Sequence, residues 1–137
     1  MKIFRSVFIL LVIFSLFASD ISTKESGTKF VVIGHLYPIM KNDEKMSKFA
    51  RKINSYNPDY IFILGDSGLE NKKILDKYKN LFKSNLFFVP GEQELKKSLK
   101  SFKENVGYLN FYLEEKDVRF LLLNSSSSVD DLKDEIK

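Results

Sequence analysis

The 137 residues contain no cysteine, so disulfides and lipoprotein-type thiol anchoring are excluded, and an oxidising compartment is permitted without being required. There is a single histidine, His35, and chemistry that needs several imidazoles cannot come from this chain alone. No apolar run reaches the roughly 18 residues of a membrane-spanning helix. The formal charge of +4 is a mild excess, with basic residues scattered rather than clustered, and no nucleic-acid motif or internal repeat is present. Lysines such as Lys72, Lys73, Lys77, Lys79 and Lys83 are interleaved with acids and read as solvated helix faces. Proline and glycine are sparse, at three and six, so where they occur they punctuate.

At the amino end, Lys2 and Arg5 precede a predominantly apolar run from Val7 to Phe17, closed by Ala18 and polar residues. This is the layout of a secretory signal, and 1–19 reads as a cleaved signal peptide or, uncleaved, a membrane anchor. The expected location is secreted, periplasmic or in the cell envelope, with membrane contact only through that segment. Residues 20–29 are polar, lack an apolar period and read as a tether. Residues 30–137 form the domain, and a hydrophobic content of 44% is enough for a core.

The domain is organised around Asn57 to Asp66. Its apolar, β-branched run is too short for a helix and is bounded by Pro58 and Gly65, which predicts a strand buried on both faces with Asp66 at its carboxyl end. Phe30 to Gly34 and Leu86 to Val89 read as flanking strands. Between them, Met46, Phe49, Ala50 and Ile53 recur at helical spacing, capped by Asn42 or Asp43, and Ile74, Leu75, Tyr78, Leu81 and Phe82 do the same. A third helix turns Leu95, Leu99, Phe102 and Val106 inward. The alternation predicts an α/β fold, a layered sheet with a parallel βαβαβ start. Tyr108 to Leu113 and Val118 to Asn124, separated by Glu114 to Asp117, predict a carboxyl-terminal β-hairpin. A serine run, Ser125 to Ser128, leads to a closing helix at 129–137.

Parallel strands put their carboxyl ends on one edge, which brings His35, Asp66, Glu92 and Glu94 to neighbouring loops. Imidazole and carboxylates ligate divalent metals, so these residues are candidate ligands. A strand-end Asp also serves as a turn or helix-cap residue. On these residues the chain resembles the calcineurin-like metallophosphoesterases, over roughly 29–137, the family's front half. That family carries Asp-x-His, Gly-Asp and Gly-Asn-His-Asp or Gly-Asn-His-Glu after successive strands. Here the Gly-Asp block with its Pro58-Asp59 lead-in matches, His35 and Tyr37 stand at the Asp and His positions, and Glu92 and Gln93 stand at the Asn and His positions.

The resemblance implies half of a metallophosphoesterase sandwich, a metal site of Asp66, His35 and Glu92 with Tyr37, Gln93 and Glu94 as additional candidates, and a phosphate ester substrate. The divalent metal could be Mn, Fe, Zn or Mg, or none. In the family the Gly-Asp carboxylate bridges two metals that activate water and clamp the phosphoryl oxygens. Gln93 cannot protonate a leaving group, and the later histidines are absent, so the expectation is a truncated or degenerate phosphoesterase. The alternative is a non-catalytic α/β binding module. A half-sandwich exposes apolar surface, which predicts oligomerisation or a missing second half. A third reading, a Gly-Asp-Ser type esterase with Ser67 as nucleophile, lacks a histidine placed to serve as base.

Overall fold

The structure, a computed structural model, describes residues 27–125. The central strand β2 (Tyr60–Leu64) lies between β1 (Phe30–Gly34) and β3 (Asn85–Val89), all parallel, with Gly34, Leu64 and Val89 side by side at the carboxyl edge. Ile61, Phe62 and Ile63 are buried in succession, so β2 is covered on both faces as its unbroken apolar run predicts. Helices α1 (Tyr37–Met40) and α2 (Asp43–Asn54) connect β1 to β2, α3 (Lys72–Leu81) connects β2 to β3, and α4 (Glu92–Val106) follows. The hairpin is β4 (Phe111–Glu115) with β5 (Val118–Leu122), antiparallel. The fold is α/β, a three-stranded parallel sheet followed by a hairpin.

Two-residue alternation along each strand sorts side chains between two cores. Ile33, Ile61, Ile63 and Phe88 pack with Met46, Leu75, Tyr78 and Phe102 of the helices. Phe62 and Val89 pack with Leu122, and with them Tyr60, Phe87, Phe111 and Phe120. The second core is largely aromatic: Phe62 and Phe120 have ring centroids 5.0 Å apart, and Phe87 stacks on Phe111 at 4.9 Å. Such pairs contribute about 0.5–1.5 kcal/mol each beyond area burial. The Tyr60 hydroxyl donates to the Glu115 carboxylate at 2.7 Å, fastening the hairpin tip to the sheet and raising the Tyr60 pKa, chiefly through that hydrogen bond. The hairpin leaves Phe30, Val32 and Leu64 about half exposed on the same face, an apolar strip beside β1.

Four local expectations are corrected. Leu99 is 38% exposed rather than inward, because Ser98 has extended backbone (φ −168°, ψ 93°) and its hydroxyl accepts from the Ser101 N–H at 3.1 Å. Ser98 is therefore an internal N-cap that resets the phase of the second half of α4. The hairpin loop is two residues, Lys116 and Asp117, because Glu114 and Glu115 belong to β4. Lys77 is not a solvated lysine: its ammonium donates to the Met40 carbonyl at 2.9 Å and pairs with Asp43, closing the end of α1. Lys29, placed in the tether, donates its N–H to Asp59 at 2.8 Å and its carbonyl accepts from Asp59 and Tyr60, so the ordered domain includes it. Residues 1–26 and 126–137, with the export segment and the closing helix assigned to them, lie outside the described residues. Among the described residues, no helix is long and apolar enough to cross a membrane.

Candidate functional site

At the carboxyl edge the backbone turns sharply out of the sheet. His35, Gly65 and Asp66 all have left-handed φ, of 57°, 61° and 48°. Histidine and aspartate tolerate this region better than most residues, and glycine adopts it freely. The three strand ends are laced laterally. The His35 N–H donates to the Gly65 carbonyl at 3.2 Å, Tyr37 to Asp66 at 3.0 Å, and Gly65 to Val89 at 2.9 Å. Gly65 and Gly91 pass back to back; a Cβ on Gly91 would lie 2.4 Å from the Asp66 nitrogen. Two neighbouring turns can cross this closely only without side chains.

The group that holds this crossing is Glu94, which is fully buried. Its Oε1 accepts from the N–H groups of Ser67 at 2.6 Å, Gly68 at 2.7 Å and Leu69 at 3.4 Å. Its Oε2 accepts from Asp66 and Gly91, both at 2.8 Å. The bond to Gly91 is the glutamate arm of a capping box at the start of α4, and the others reach a loop more than twenty residues away in sequence. A buried carboxylate is tolerated because both oxygens are saturated by charge-assisted hydrogen bonds. Glu94 is consequently a positioning group rather than an open metal ligand, which corrects its place among the additional candidates.

Asp66 combines its two sequence readings. Its Oδ1 accepts the Gln93 N–H at 2.9 Å, capping the first turn of α4 from a different loop, while Oδ2 lies 3.4 Å from His35 Nδ1. The Asp66 side chain is 29% exposed and the His35 side chain 65%. Glu92 is exposed and pairs with Lys96 one turn along α4, so it does not join them. Gln93 contributes its backbone N–H. The Tyr37 hydroxyl accepts from Lys97 at 2.8 Å, with the ammonium 4.3 Å from the ring centroid. The candidate set thus separates: His35 and Asp66 meet, while Glu92, Glu94 and Tyr37 are committed to other partners. No group of three or more His, Asp or Glu side chains placed to hold a metal is found among the described residues.

No protein-family model, curated protein or solved structure matches this chain.

The chemistry available at the rim follows from the pair that does meet. One imidazole nitrogen and one carboxylate oxygen at this separation fit a loosely held divalent cation completed by water, and this donor set does not select among Mn, Fe, Zn and Mg. They do not fit a two-metal clamp, which needs ligands for both ions. Ser67 is fully buried, its hydroxyl donating to the Gly65 carbonyl at 2.8 Å and accepting from the Leu36 N–H at 3.4 Å. Enclosed in this way, it is a loop-bracing residue rather than the nucleophile of an esterase. Beneath it the Tyr78 hydroxyl donates to the Ser67 carbonyl at 2.7 Å, and burial pushes the Tyr78 pKa far above the usual tyrosine range.

Among the described residues the strand order β1-β2-β3 does not reverse, so no crevice of the topological-switch kind is found there. A cleft of about 230 Å³ lies to one side instead, lined by Tyr37, Met40, Lys41, Gly68, Glu70, Asn71, Ile74 and Lys97. Lys97 ion-pairs with Glu70 at 3.1 Å. Its pKa is raised, first by the hydrogen bond to Tyr37 and then by Glu70, with burial pulling the other way. Lys41, Glu70 and Lys97 were not singled out from sequence. The signal for Lys97 is its phase, three residues after the buried Glu94 and hence on the same side of α4; Lys41 and Glu70 carry no comparable spacing.

Proposed function

We propose that this chain is a degenerate relative of the calcineurin-like metallophosphoesterases, exported toward the cell envelope, that acts as a binding module rather than a hydrolase. Its rim holds one divalent cation through His35 and Asp66, with water and an anionic ligand such as a phosphate ester completing the shell. The observation that supports this is the division of the candidate ligands: His35 Nδ1 and Asp66 Oδ2 lie 3.4 Å apart, while Glu94 is saturated by backbone N–H groups and Glu92 is turned to Lys96. Hydrolysis would need a second ion and an acid for the leaving group, and at the relevant position Gln93 offers an amide.

The test is Mn²⁺ titration of the purified full chain by calorimetry, paired with hydrolysis of an aryl phosphate in the same buffer. Weak one-to-one uptake, lost in both His35→Ala and Asp66→Ala, with turnover no higher than that of free Mn²⁺, is the expected result. Mn²⁺-dependent turnover that disappears in Asp66→Ala would overturn the binding-module reading in favour of a hydrolase. Absence of uptake would remove the cation from it.

A further inference from the structure

We propose that the lateral cleft between α1, the 68–71 turn and α4 binds a small zwitterion, a primary ammonium and a carboxylate on one body of amino-acid size. The leading observation is Glu70. Its Oε1 is paired with Lys97 at 3.1 Å, but Oε2 is enclosed and has no hydrogen-bond partner. Buried carboxylate oxygens are almost always satisfied, so this oxygen marks a place for a donor. Lys97, the partner of Oε1, lines the same cleft. Its side chain is 38% exposed, donates to the Tyr37 hydroxyl, and has the flexible four-carbon stem by which a lysine can change partners.

The remaining walls supply the complementary end. The Lys41 ammonium lies 5.8 Å from the Tyr37 ring centroid and the Lys97 ammonium 4.3 Å, so one aromatic ring is flanked by two cations. Met40, Gly68 and Ile74 add an apolar part to the lining. They are packed tightly, since a Cβ on Gly68 would meet the Met40 sulfur at 2.6 Å. At about 230 Å³ the cleft is smaller than sites that enclose drug-sized ligands, which restricts the occupant to a few heavy atoms.

Binding on these terms is an exchange. The ligand ammonium takes the Glu70 carboxylate and satisfies Oε2, and the displaced Lys97 turns with Lys41 to the ligand carboxylate. No bond is made or broken, and a zwitterion brings no net charge. A simple anion would leave Oε2 unmet, and a simple amine would leave Lys97 without its carboxylate. The proposal rests on the binding-module reading only in taking this edge of the sheet as the ligand face, and it uses neither His35 nor Asp66.

The full chain is titrated by calorimetry with the twenty α-amino acids, and with ethylamine, acetate and inorganic phosphate as probes of each half. At least one amino acid is expected to saturate at one to one, with ethylamine and acetate at least tenfold weaker. Glu70→Gln and Lys97→Met should each weaken binding at least tenfold, with Glu104→Gln unchanged. Circular dichroism checks the fold of each variant, and should Glu70→Gln fail to fold, Lys97→Met carries the test. Failure of every amino acid to saturate, binding indifferent to the folded variants, or phosphate binding tighter than any zwitterion would overturn the proposal. Loss of Mn²⁺ uptake in His35→Ala reports on the rim separately, so either idea can fail while the other stands.

Discussion

Replacing Glu94 with glutamine changes one oxygen into an amide and nothing in size, so it isolates what the carboxylate does for the loop crossing. Each oxygen accepts at least two backbone N–H groups at 2.6–2.8 Å: Ser67 and Gly68 on Oε1, Asp66 and Gly91 on Oε2. Whichever way the amide is seated, its NH₂ faces at least two donors and at least two bonds are lost. At about 1.5–3 kcal/mol for a hydrogen bond to a charged group, the cost is about 3–6 kcal/mol. Measured against the 5–15 kcal/mol typical of a whole domain, that is a large share. Urea denaturation should show the midpoint falling by that free energy, and amide exchange should accelerate first at 66–68 and 91. A loss below about 1 kcal/mol, or unchanged protection at those amides, would refute the claim that one carboxylate holds the two turns together.

Two further outcomes follow from the same region. Gly91→Ala should cost at least about 2–3 kcal/mol, as overpacking against backbone does, because its Cβ would sit 2.4 Å from the Asp66 nitrogen. Gly107→Ala, where φ is 95° but nothing lies within 4 Å, should cost only about 1–2 kcal/mol, and denaturation midpoints that reverse this order would contradict the crossing geometry. Tyr78 has a folded pKa raised above the unfolded value of about 10, mainly by burial, so its contribution is intact below about pH 10 and is lost as pH climbs toward the folded value. Tyr78→Phe should therefore be less stable at pH 8 by about 1–2 kcal/mol, for the lost bond to Ser67, with the gap narrowing above pH 10. Parallel stability curves for the two proteins would dispose of that assignment.

What could be read from sequence were features set by local rules. The apolar run at 60–64, bounded by Pro58 and Gly65, appears as β2, and Asn42 caps α2 by accepting from Lys45 at 2.9 Å. The meeting of His35 with Asp66 followed from parallel alignment alone, since neighbouring parallel strands share a carboxyl edge. Features that depend on long-range partners were hidden. Glu94 reads equally as a ligand and as a capping-box glutamate, and its bonds to 66–69 have no trace in local spacing. α1, at four residues, is too short to show a period. The inward placement of Leu99 failed because Ser98 and Ser101 form a cap inside what looks like one continuous helix. The lateral cleft was missed because Lys41, Glu70 and Lys97 come from three separate segments and converge only in three dimensions.

Because a single carboxylate is shared between the first turn of α4 and the imidazole beside it, the rim and the helix are mechanically one object. Anything that draws Asp66 toward His35, such as a cation held between them, slackens its hold on Gln93. The start of α4 should accordingly fray or tighten with the state of a ring that it never touches, and the helix becomes a readout for what sits on the rim.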